Sequence, residues 1–391
     1  EKKEEEKYGN LLDSRDWNEQ FQTLMHAISS RERWESLQEL PETNNQLLQL
    51  MQDFTCVAKL YGRIIIMERH LKTKEKLIEE LIEQKKINGT YKEGEEIKLP
   101  PNMNFKTIPP CGGGLAGGEK YRVNNILFKF AVNSKRENLH NSDHFAAKAA
   151  GLELLGISAF LDTKTPGLHL PLCTLVNYLG YRLMACSVLP IFSKKQSEVP
   201  STLVYGSEDA GENIYNTSDR FDKMMEHVGK QLYLRPHTVR GGSLYSTPLI
   251  LHTAFDVEGH IGADNRFYLL DLGRVMPSDP VLVGKKQWWK DLERARKMDC
   301  RFRPELLRLF GEEKGKKLTA DASHENRVGK HDQNHLEMQR DICEAHKYLI
   351  EESIPKAVNF GLYFFHSSSS QNLSSSQQTQ QTPPTPKRGG Q

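Results

Sequence analysis

No stretch of the 391 residues approaches the ~20 consecutive apolar side chains that cross a bilayer, which excludes a helical membrane span. Paired cysteines are missing too. Cys56, Cys111, Cys173, Cys186, Cys300 and Cys343 are scattered and none form a C-x-x-C, so the pattern fits reduced thiols rather than a disulfide framework or a zinc site. Charge of one sign is not in excess: 53 Lys and Arg against 51 Asp and Glu leave +2, unlike a dedicated nucleic-acid coat, so RNA binding would need a local patch. A G-x-S-x-G is absent, as is H-R-D, so local signatures support neither an acyl-enzyme route nor a complete kinase catalytic loop.

What is present supports a real core, since 37% of the residues are hydrophobic and they concentrate away from the two ends. Residues 1–10 read as a mobile charged lead-in, and 366–391, mostly Ser, Gln, Thr, Pro and Gly, as a disordered tail. Between them the expected parts are a helical region at 11–110, an α+β sheet-containing core at 111–284 and a helical region at 285–358. Leu47, Leu50, Met51, Phe54, Val57, Ala58 and Tyr61 recur at helical spacing. KTKEKLIEELIEQKK predicts a charged helix near 70–86 with i,i+4 pairs. Strands are expected at 121–123, 126–132, 172–178, 181–189, 248–255 and 266–272, with Tyr178-Leu-Gly-Tyr181 as a hairpin turn. Helices are expected near 145–160, 219–232 and 333–352. The order indicates an α+β architecture with a central mixed or antiparallel sheet, not a doubly wound parallel one.

One set of residues follows the order of a protein kinase. Gly112, Gly113, Gly114, Gly117 and Gly118 form a Gly-rich loop that lets backbone N–H groups approach phosphates. Lys129 follows on a strand and Glu153 on a helix, the pair that holds the α- and β-phosphates in kinases. Asp271-Leu-Gly stands where a kinase places its Mg²⁺-binding Asp, and Asp256 stands near the catalytic-loop position. The implied ligands are ATP and Mg²⁺. The loop is degraded, because Ile261 lies five residues after Asp256, where a second metal-binding Asn belongs. His140 and His144 have metal-ligand spacing but no third ligand, so they read as part of a surface loop entering a helix. For RNA, the basic candidates are Arg235, Arg240, Lys285, Lys286 and Lys290, the last three beside Trp288 and Trp289, whose rings suit base stacking.

An ordered set of short stretches resembles the Clu domain of the clustered-mitochondria proteins. They are RDWNEQF at 15–21, LPET at 40–43, DF at 53–54, AGLEL at 150–154, VNYLGYR at 176–182, VYGS at 204–207, HTV at 237–239, DVEG at 256–259, GADNRFYLLDL at 262–272, FRPEL at 302–306 and IPK at 354–356. The resemblance implies a cytoplasmic protein needed for mitochondrial distribution. It also implies partners: mRNAs encoding mitochondrial proteins and, as in fungal members, translation initiation factor 3. The ubiquitin-like region and tetratricopeptide repeats of the full family pattern have no counterpart in these residues. The resemblance supplies no catalytic residues. The expected protein is therefore a non-catalytic organiser near the mitochondrial surface; the alternative is a kinase-like phosphotransferase using Lys129, Glu153 and Asp271.

Overall fold

The computed structural model of the chain describes residues 15–29, 39–113, 118–132, 143–193, 200–242, 247–279, 301–322 and 335–360. The lead-in, the Ser/Gln tail, Gly114, Gly117, Lys285, Lys286, Lys290 and His140 lie outside them.

Helix α1 (Trp17–Ser29) is short but anchored by Trp17 and Phe21, both buried. Helix α2 (Glu39–Met67) buries Leu50, Phe54, Val57, Ala58, Ile65 and Ile66 along one stripe, as the spacing predicts. Met51 falls off that stripe and is exposed. Helix α3 (Lys74–Ile87) is capped by the Thr73 hydroxyl, which accepts from Lys76 N, and it buries no residue. Its ion pairs reach off the helix, Lys72 to Glu80 at 2.6 Å and Lys85 to Glu95 at 2.5 Å, because flanking segments fold back along it.

The strands form two five-stranded sheets rather than one. The first consists of β1 (Pro110–Gly113), β2 (Glu119–Val123), β3 (Ile126–Phe130), β5 (Cys173–Tyr178) and β6 (Tyr181–Ser187), in the order β1-β2-β3-β6-β5, antiparallel throughout. Asn124-Asn125 and Leu179-Gly180 make its two tight turns, all four residues at positive φ, the conformation that matches strand twist in a two-residue hairpin. Strand alternation divides this sheet cleanly. Tyr121, Phe128, Phe130, Val176, Leu183 and Ala185 pack on Trp17 and on α2, with Trp17 and Phe54 edge to face at 5.4 Å. The opposite face carries Lys120, Leu127, Lys129, Met184, Cys173 and Cys186.

Helix α4 (Asp143–Asp162) connects β3 to the second sheet. That sheet has the order β4-β12-β11-β7-β8, from β4 (Leu168–His169), β7 (Leu203–Gly206), β8 (Tyr215–Asn216), β11 (Glu258–Ile261) and β12 (Phe267–Leu270). Only β4 runs parallel to its neighbour. Helix α5 (Asp219–Gln231), capped by Ser218, buries Phe221, Met224, Met225 and Val228 on it, and Phe221 stacks on Tyr205 at 5.6 Å. A ribbon of β9 (His237–Val239) and β10 (Leu249–Leu251), helix α6 (Pro304–Lys314) and helix α7 (His335–Tyr348) complete a second, larger core. Pro304 opens α6, where its missing N–H costs nothing, and Gly315 closes it at positive φ.

Helix α1 ties the second sheet to the first. Trp17 Nε1 donates to Asn124 O at 3.0 Å, Asn18 donates to Tyr268 Oη at 2.8 Å, and the Arg266 guanidinium grips Glu19. The architecture is therefore α+β, with helical N- and C-terminal regions around paired sheets.

Candidate functional site

The polar face of the first sheet meets the C-terminal end of β12, and charge gathers there. Lys129 Nζ donates to Asp271 Oδ1 at 2.8 Å. Protein atoms crowd both groups, yet Lys129 keeps 32% and Asp271 40% of its side chain accessible. We read that combination as a narrow crevice that water reaches, with the ion pair on its floor. Asp271 adopts left-handed backbone angles (φ 58°, ψ 53°), which Asp tolerates better than most residues, and it begins the tight helical turn Leu272–Arg274.

Glu153, on α4, is also brought to this crevice, but not as a partner of Lys129. Its Oε1 accepts the Leu272 N–H at 2.9 Å, and it also accepts from the Gly273 N–H. No ion pair joins it to Lys129. The expected Lys–Glu pair is therefore replaced by a Lys–Asp pair, because the amides of the turn claim the glutamate first. Gly156 makes this possible: a Cβ there would collide with the Leu272 carbonyl, so the helix approaches the turn at backbone distance.

A third carboxyl completes the group. Glu258 of β11 pairs in register with Leu270, which places its carboxyl within hydrogen-bonding reach of Asp271. His260, on the same face of β11, is 2% exposed. Its Nδ1 lies 2.9 Å from Thr202 Oγ1, while Nε2 makes no hydrogen bond and lies 3.7 Å from Glu258 Oε2. Burial pushes Glu153 up to about 7, helped by the Asp271 charge. Burial and the same charge push Glu258 well above the carboxylate range. Burial would raise Asp271 as well, but Lys129 overrides it and holds Asp271 down at about 2. Asp271 in turn raises Lys129. Burial lowers His260 to about 4, so its ring is neutral. Cys173 and Cys186 face each other across β5 and β6 beside this group, and burial raises the Cys173 thiol.

Asp256 does not share this exposure. It is buried and ion-paired to Arg274, which removes it as a general base. Burial raises it to about 6 against the pull of Arg274. Arg301, lowered to about 10 by burial, and Asp321 lie within electrostatic reach. Asp321 Oδ2 accepts from His237 Nε2 at 2.7 Å and from Phe255 N at 2.8 Å. This second cluster is closed.

The Gly-rich loop is partly described. Gly112 and Gly113 end β1, and Gly118 precedes β2 with φ 82°, where a Cβ would strike the Phe130 carbonyl. Of the basic candidates, Arg235 is committed to Glu337 at 3.4 Å and Asp341 at 3.5 Å, so it is not a free phosphate contact. Arg240 Nε is buried without a hydrogen-bond partner among the described residues. No group of three His, Cys, Asp or Glu among the described residues is arranged to cage a metal ion. No described helix is long and apolar enough to cross a membrane.

Sequence reasoning missed Glu258 and His260. Motif spacing places the second metal ligand five residues beyond Asp256, whereas the β11–β12 register brings the residue two beyond it to Asp271. The short D-V-E-G stretch was the available signal.

The fold and site define a two-sheet α+β module with a charged crevice between the sheets. The family profile described as "Clustered mitochondria" matches residues 16–281, and the chain belongs to that family. Relatives include a clustered mitochondria protein of Arabidopsis thaliana, 25% identical over 76% of this chain and 20% of its own length. A clustered mitochondria protein homolog of Caenorhabditis elegans is 33% identical over 41% of this chain and 13% of its own. Protein clueless of Drosophila willistoni is 30% identical over 49% and 14%. The chain thus spans a fifth or less of the length of these relatives. No solved structure matches it.

Proposed function

We propose that the chain is a non-catalytic, cytoplasmic binding module of the clustered-mitochondria type, acting in mitochondrial distribution through mRNA or the translation machinery. The names of its relatives support the role in mitochondrial distribution, and the resemblance of the motifs supports the location and the mRNA or translation partners. The observation that carries the non-catalytic reading is Asp256: it is buried against Arg274 and cannot accept a substrate proton. Deleting the protein should collapse the mitochondrial network into clusters, and the Asp256→Asn variant should restore its spread as well as the wild type does. Failure of that variant, if it is expressed and folded, would overturn the non-catalytic reading. Arg240, together with Lys285, Lys286 and Lys290, remains the basic set for RNA; a gel shift at low salt tests it, and no shift would count against RNA as the partner.

A second reading is favoured by the Lys129–Asp271 contact at 2.8 Å on the floor of an accessible crevice. In this reading the crevice binds ATP with Mg²⁺ without transferring phosphate. Glycines at the end of the first strand and before the second, a Lys on the third, a Glu on the following helix and an Asp after a later hairpin are the parts that protein kinases use around their nucleotide. Lys129 would meet the phosphates and Asp271 the metal, whose charge would neutralise the phosphate chain. Transfer is disfavoured because the Lys–Glu pair needed for it is absent and Asp256 is enclosed. Thermal unfolding with and without Mg·ATP tests the reading: ligand at a hundred times its Kd should stabilise by about 2.7 kcal/mol.

A further inference from the structure

Three carboxyls converge at the crevice, and among the described residues Lys129 is the one permanent cation in ion-pair contact with any of them, with Lys120 acting at longer range. Glu153 is accounted for by the amides of Leu272 and Gly273. Glu258 and Asp271 hydrogen-bond each other instead, carboxyl to carboxyl, with Lys129 also reaching Asp271 and Lys120 within electrostatic reach of both, and the proton between the two acids stands where a divalent cation would sit. Beside them His260 points a neutral, almost fully buried Nε2 that makes no hydrogen bond and lies 3.7 Å from Glu258 Oε2. A buried ring nitrogen left without a partner is costly unless something else engages it.

We propose that Glu258 and Asp271 jointly seat a divalent cation that enters with the polyphosphate of a nucleoside triphosphate, with a cation-bound water reaching His260. The inference rests on the nucleotide-binding reading above and deepens it by naming the second metal-bearing residue. Two carboxylates suit Mg²⁺, which keeps several waters and is commonly held by one or two carboxylates plus substrate phosphates rather than by an all-protein cage. The registry of β11 with β12 fixes the pair: Glu258 opposes Leu270, one residue before Asp271. The ligand class follows from the charge layout, with an ammonium for phosphate oxygens on one wall and an acid pair for the metal on the other.

The test titrates the full chain with fluorescent ATP in Mg²⁺, in Mn²⁺ and in EDTA. Binding should be at least tenfold tighter with either metal than with EDTA, and Glu258→Gln should bring that ratio close to one. Equal binding in EDTA would overturn the cation seat and leave the nucleotide reading standing. No binding under any condition would overturn both. Persistence of the metal dependence in a folded Glu258→Gln would overturn the role of Glu258. If that variant does not fold, Mn·ATP added to the wild type provides the readout. It should broaden the His260 ring resonances well before those of His237, and the reverse order would sink the proposal.

Discussion

Two charged clusters in this molecule use the same few side-chain types and differ in nearly everything else. In the Asp256, Arg274, Arg301, Asp321 and His237 cluster the acids are enclosed and Arg274 alone is a third exposed: His237 and Asp321 are 0% and 1% exposed, and each acid has a cation or imidazole in reach. The Lys129, Glu153, Glu258 and Asp271 cluster has more acid than base, and its central pair touches water. Burial of charge is tolerable only when every group is answered. The first cluster pairs Asp256 with Arg274 and Asp321 with His237, though Asp256 Oδ1 and Arg301 Nε make no hydrogen bond among the described residues. The second pairs one of its three acids with a cation and answers the other two with backbone amides and a carboxyl–carboxyl hydrogen bond, which leaves His260 Nε2 for a ligand to engage.

The contrast can be broken most severely at Asp321. Asp321→Ala would strip both His237 Nε2 and the Phe255 N–H of their acceptor. Urea denaturation should show a loss of about 3–5 kcal/mol, the usual cost of removing one partner of a buried pair. A loss below 1 kcal/mol would mean that the enclosed cluster is not structural. Lys129→Met should behave in the opposite way. The ligand-free chain should lose ~1 kcal/mol or less, because the pair is a third exposed and screened by water, while the Mg·ATP-dependent rise in melting temperature should vanish.

The smallest effect is a pH slope. Glu153 titrates at about 7 in the folded chain against 4.5 for the free side chain. Between those values the folded state holds a proton that the unfolded state has lost, so stability falls as pH rises from about 4.5 to about 7. His260, lowered to about 4, gives the opposite slope between about 4 and 6.5, because there the unfolded state binds the extra proton. Glu153→Gln should make the downward slope shallower between about 4.5 and 7 without abolishing it, because Asp256, raised to about 6, and Glu258, raised well above its usual range, slope the same way. An unchanged pH profile would show that Glu153 is not held protonated by burial.

The elements easiest to read in the sequence were those whose signal is local. The apolar stripe from Leu50 to Ala58, the alternation of Ile126, Phe128 and Phe130, the Leu179-Gly180 turn and the helix near 219–232 each have a signal within a few residues. The second sheet was not legible as a sheet. Strands β4 and β8 have two residues each, and β11 contains Gly259 and His260, which break any apolar alternation. The site divided in the same way. Lys129 and Asp271 were found because motif order survives along the chain. Glu258 was missed because its place beside Asp271 is created by strand register, and His237 with Asp321 because 84 positions separate them. Asp256 had the right address but the wrong surroundings, and burial is decided by the whole core.

The contact between Gly156 and Leu272 has a mechanical meaning. With nothing between helix backbone and turn backbone, α4 and the Asp271 turn move as one jaw, and the amides bonded to Glu153 keep them locked. The spacing of Glu153 and Asp271 therefore cannot serve as a dial. The first sheet is tied to the same jaw, because Arg182 of β6 donates to Ala147 O of α4 at 2.6 Å, so Lys129 and Asp271 are held at a fixed distance from both sides.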